Sequence, residues 1–77
     1  MEYNKDKVDE MTLALLHLVV EKRKEGARAW KGFDWDSMNR LYEKGYIGDP
    51  KSKAKSVVMT ELGESAAEAM FTKHFAG

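Results

Sequence analysis

Two residues fifteen positions apart, Gly45 and Thr60, constrain this chain more than anything else in it. Gly45 closes a run in which Trp35, Met38, Leu41 and Tyr42 recur at helical spacing, with Asp36, Ser37, Asn39, Arg40, Glu43 and Lys44 between them. A glycine there ends a helix in the left-handed conformation without a Cβ penalty, and Tyr46 can fold back onto Leu41 as the apolar contact of a Schellman motif. Tyr46-Ile47 then reads as extended, Gly48-Asp49-Pro50 as a turn, and Ser56-Val57-Val58-Met59 as the clearest strand in the chain. Thr60 ends that strand and caps another helix, with Glu61 at the positive end of its dipole. Residues Met38 to Gly63 therefore predict a helix, a β-hairpin with a polar tip at 51–55, and a helix.

The remainder fits around this unit. Val8, Met11, Leu15, Leu18 and Val19 recur at three- and four-residue spacing and predict a long amphipathic helix from Lys5 to Lys24, capped by Asn4 or Asp6 and stopped by Gly26. Leu13, Leu16 and Val20 widen its apolar arc, and that extra face is the candidate dimer contact. Ala27 to Lys31 fits a short strand and an irregular link equally well. Asp34 is a good N-cap for the second helix, with Phe33 and Met38 placed as a hydrophobic staple. From Thr60, Leu62, Ala66, Ala69 and Met70 carry the last helix to about Phe75.

The stretch Leu41 to Ile47, followed by Val57-Val58-Met59-Thr60-Glu61-Leu62-Gly63, resembles the wing region of bacterial winged-helix regulators such as the multiple-antibiotic-resistance and phenolic-acid-decarboxylase regulator families. The resemblance covers about a third of the chain. It implies an α+β, small winged-helix-like domain of helix, helix, β-hairpin wing and helix. Those regulators hold two helices before the wing, whereas Gly26 to Gly45 has room for one, so a full helix-turn-helix is lacking. Over the whole chain, with Arg28 to Asp36 and Ser52 to Val58 most alike, the sequence is also similar to a family of short bacterial proteins known as a domain of unknown function.

With 77 residues the chain can build one modest core, leaving a net stability of roughly 3 to 5 kcal/mol. It reads as a single domain, residues 1–77. Small chains lean on a staple or a partner, and with no cysteine for disulfides the expectation is a homodimer whose first and last helices meet their symmetry mates. The longest apolar run, Leu13 to Val20, is interrupted by His17 and falls short of the roughly 20 residues a bilayer span requires, so neither membrane nor signal peptide is expected and a cytoplasmic location follows by default.

Zero net charge removes the generic electrostatic case for nucleic acid, although residues 27–60 hold seven basic against four acidic side chains. Neither His17 nor His74 has metal partners at useful spacing, and Asp34 and Asp36 are explained by helix capping. No nucleophile elbow or phosphate loop occurs, so no cofactor, no metal and no catalysis are expected. Trp30, among polar and loop-like neighbours, is the aromatic residue expected at the surface. The leading reading is a non-catalytic binding module contacting an unknown protein partner through Trp30, Arg40, Lys51, Lys53 and Lys55. The alternative is a small DNA-binding regulator using Arg40, Lys44 and the three wing lysines, although Asp34 and Asp36 at the head of its only reading helix would repel phosphates.

Overall fold

The computed structural model describes residues 1–76. The elements run α1 (Lys5–Val19), β1 (Val20–Arg23), β2 (Gly26–Trp30), α2 (Trp35–Glu43), β3 (Ser56–Met59) and α3 (Glu61–Phe75). The fold is α+β: three helices and an antiparallel sheet of order β1-β2-β3, an architecture compatible with a small winged-helix-like domain. Among the described residues one helix, α2, lies between the first hairpin and β3, so a full helix-turn-helix is lacking.

The sheet alternates faces as extended chain must. Ala27, Ala29, Val57 and Met59 point inward and join Leu13, Leu16, Met38, Leu41, Ile47 and Ala67 in the core, with Val20 packed against it. Helices cover that face alone. The other face carries Glu21, Arg23, Arg28, Trp30, Ser56 and Val58.

The first helix is shorter than periodicity predicts. It ends at Val19, and Val20 to Arg23 pair with Ala29 to Gly26 in register. Burying Val20 against the core and satisfying two strands' backbone groups outweigh one further helical turn of β-branched and charged residues. Gly26, at φ +125°, is therefore the closing residue of a hairpin through Lys24-Glu25 rather than a helix stop. Ala27 to Trp30 is a strand. The partner of β3 over four residue pairs is β2, while Ile47 contributes a single bridge to Met59 and Gly48 N–H donates to the Val58 carbonyl at 2.9 Å.

The phase of α1 also differs. Asp9, Thr12, Leu13, Ala14 and Leu16 are buried, so the arc assigned to a dimer contact faces the core, and Leu15, Leu18 and Val19 are exposed. In α2 the buried stripe is Ser37, Met38 and Leu41, leaving Trp35 and Tyr42 exposed.

The joint around Gly45 is built as its residues dictate. Tyr46 N–H donates to the Leu41 carbonyl and Gly45 N–H to that of Tyr42, both at 3.0 Å, with Gly45 at φ +85°. Thr60 Oγ1 accepts from Gly63 N–H (2.9 Å) while donating to the Gly45 carbonyl (2.7 Å). One hydroxyl thus caps α3 and ties it to the exit of α2. Thr60→Ala is expected to lower unfolding free energy by about 1 to 2 kcal/mol, and Thr60→Ser to restore most of it, in urea titrations.

Candidate interaction surface

Trp30 ends β2 on the open face of the sheet and is 53% exposed. Its indole meets Phe33 edge to face at 5.9 Å and lies over Gly32, where a Cβ would fall 2.1 Å from the indole ring. The ring is therefore held while its other side faces solvent. Beside it, Arg28 donates from Nε to Ser56 Oγ and from its terminal nitrogen to the Ser56 carbonyl, both at 2.8 Å, which ties the guanidinium to the start of β3.

The loop carrying the three lysines is organised by a residue that sequence reading treated as a bystander. Lys31 Nζ donates to the Pro50 carbonyl at 2.8 Å and to the Ser52 carbonyl, and Lys31 N–H donates to the Lys55 carbonyl at 3.2 Å. Pro50 is fully buried, and Asp49 Oδ1 accepts from Lys51 N–H at 2.9 Å in a local turn. Lys51, Lys53 and Lys55 stand exposed on this anchored loop. Strand pairing of Trp30 with Ser56 brings Lys55 beside the indole.

Arg40 and Lys44 are placed elsewhere. Arg40 Nε donates to both carboxylate oxygens of Asp9, at 3.0 and 2.9 Å, and Lys44 Nζ reaches Oδ2 at 2.9 Å. Asp9 is 2% exposed. Burial pushes its carboxyl up, but the hydrogen bonds and charges of Arg40 and Lys44 together outweigh this and hold it below the ordinary aspartate value of 3.8. Arg40 also donates to Ser37 Oγ (3.2 Å), which donates to Asp34 Oδ2 (3.0 Å), the same oxygen that caps α2. Of the six residues selected from sequence, Trp30, Lys51, Lys53 and Lys55 thus share the surface of the sheet and its loop, while Arg40 and Lys44 bind α2 to α1. Periodicity alone could not find Asp9, whose partners lie more than thirty residues away.

Two clefts flank α1. One, of about 420 Å³, lies where α1, α2 and α3 meet and includes Lys7, Asp9, Glu10, Lys44 and Tyr46. Its charges pair with one another: Lys44 with Asp6 and Asp9, Lys7 with Glu10. The second, of about 580 Å³, is lined by His17, Lys22, Glu61, Glu64 and Glu68. No group of three or more histidine and carboxylate side chains placed to hold a metal occurs among the described residues. No helix among them is long and apolar enough to cross a membrane.

Fold and surface together define a small α+β domain with one open sheet face and a lysine-bearing loop. Residues 4–77 match the family described as Domain of unknown function (DUF6429), and the chain belongs to it. The chain is similar to the uncharacterized protein y4hR of Sinorhizobium fredii (strain NBRC 101917 / NGR234), with 44% identity over 75 residues that cover 97% of each chain. No solved structure matches it.

Proposed function

We propose that the chain is a non-catalytic binding module, working as a homodimer, whose contact surface is the open sheet face around Trp30 with the lysines of the 51–55 loop at its rim. The observation that carries this reading is Trp30: a large aromatic side chain, half exposed, fixed in orientation by Phe33 and Gly32. Tryptophan is among the residues most enriched at binding hot spots, and lysines at the rim of such a patch complement acidic groups on a partner. The partner that suits them is a protein surface with an apolar pocket rimmed by carboxylates. Engagement of Arg40 and Lys44 by Asp9 weighs against the DNA-regulator reading, since it leaves the wing lysines as the main free cations for phosphate.

The two readings separate in two measurements. A mobility shift with bulk duplex DNA at low salt is expected to show no retardation at tens of micromolar protein. Retardation abolished by changing Lys51, Lys53 and Lys55 to glutamate would establish the regulator instead. Affinity capture from native lysate is expected to retain a protein on the wild-type chain that is lost from both Trp30→Ala and the triple lysine variant. An unchanged retained set would overturn the proposed surface.

A further inference from the structure

We infer that the outer face of α1 is the seam of an antiparallel homodimer, formed by Val8, Met11, Leu15 and Leu18; this deepens the proposed homodimer by assigning its interface. The other faces of α1 are accounted for. Asp9, Thr12, Leu13 and Leu16 are buried, Glu10 meets Lys73 and His74 of α3 at 3.2 Å each, and the His17 ring lies 5.1 Å from that of Phe71. What remains turned to solvent is Val8 and Met11, half-buried, and Leu15 (38% exposed), Leu18 (64%) and Val19. From Val8 to Val19 that face carries no charge. A surface helix normally reserves this side for charged and polar residues, so an uncharged apolar stripe there marks a face that becomes covered.

The spacing selects the cover. Val8, Met11, Leu15 and Leu18 follow one another by three, four and three residues, the knob spacing of a two-helix seam. This series reads the same in both directions. A second copy lying antiparallel about a two-fold axis between Met11 and Leu15 sets Val8 against Leu18 of the partner subunit and Met11 against Leu15 of the partner subunit, so every knob finds an apolar counterpart. A self-complementary patch is what a two-fold dimer needs, and an uncharged one brings no like-charge repulsion onto the axis. With Val8 and Met11 already half-buried in the subunit, the seam is smaller than the roughly 800 Å² per partner of a standard interface, so the dimer is expected to be weak and dependent on concentration.

Sedimentation across a series from low to several hundred micromolar protein tests it. The weight-average mass is expected to rise from 8.8 kDa toward twice that value. Leu15→Glu with Leu18→Glu, both at exposed positions, should hold the chain at monomer mass with unchanged helical circular dichroism. In the cysteine-free chain, Val8→Cys combined with Leu18→Cys should cross-link on oxidation, whereas Leu18→Cys alone should not, because the two copies of residue 18 lie about 15 Å apart along an antiparallel seam. A dimer that survives the glutamates, or efficient cross-linking through residue 18 alone, would overturn this seam and leave the homodimer standing. A monomer at every concentration would overturn both and leave the face to a different occupant, such as an amphipathic helix of another protein.

Discussion

Gly63→Ala is expected to lower unfolding free energy by about 3 kcal/mol, enough to unfold much of a domain this small. A Cβ built on Gly63 falls 1.8 Å from the Tyr46 carbonyl oxygen, 2.7 Å from its carbon and 3.1 Å from its Cα. These are backbone atoms, so no rotamer relieves the overlap. Either α3 lifts from the segment after α2, or that segment moves and loosens the bond that Thr60 N–H donates to the same oxygen at 3.2 Å. Intrinsic helix propensity alone would favour alanine by about 1 kcal/mol, so the sign of the change separates the two effects. Gly48 is the control, since a Cβ there meets Val58 at an ordinary 3.4 Å and its alanine variant should unfold near the wild-type midpoint. Urea titration followed by tryptophan fluorescence measures both, and a loss below about 1 kcal/mol at Gly63 would refute the close-contact account.

Asp9→Ala is the second large effect, expected at about 2 to 3 kcal/mol near neutral pH. Removing one member of a buried charge cluster costs about 3 to 5 kcal/mol when the partners stay trapped. Here the Arg40 and Lys44 side chains are 21% and 38% exposed and can turn toward water, which lowers the figure. The pH dependence follows from the depressed carboxyl of Asp9. A group that titrates lower folded than unfolded contributes stability fully above its unfolded value, and that contribution disappears as pH falls through the folded one. The gap between wild type and Asp9→Asn should therefore be constant from neutrality to about 3.8 and close below it. Glu10 is also held below its ordinary 4.5, through hydrogen bonds from Lys73 and His74, so acid weakens the α1–α3 contact in the same direction. Only the difference between the two proteins isolates Asp9. A gap that persists unchanged at the lowest pH would show that shape rather than charge makes the residue important.

What could be read directly from sequence was local. Gly45, Thr60 and the caps Asn4 and Asp34 each act within a few residues, and the side chain of each cap accepts the N–H three positions on. Trp30 was legible as a surface residue because Arg28, Lys31 and Gly32 leave no apolar stripe for it to join. The phase of α1 was not, because two apolar series share the helix and the fuller one, Val8 to Val19, lies outside. The inner series contains Asp9, which counts against burial until Arg40 and Lys44 arrive from a distant helix to neutralise it. The strand Val20–Arg23 was hidden for a similar reason: its pairing with Gly26 to Ala29, across two small alanines, depends on what the sheet covers. Arg40 and Lys44 looked like free cations for the same lack of a long-range partner.

The joint formed by Gly45, Thr60 and Gly63 explains why part of this chain looks like a regulator's wing. Each of the three answers a local demand: a left-handed exit, a hydroxyl serving two helices, and a missing Cβ where backbones touch. A chain that swings a helix out of a strand beneath an earlier helix's exit meets these three demands, whatever it binds. Substitutions at these three positions break a corner of the fold, so a likeness confined to them is a likeness of build and carries no function with it.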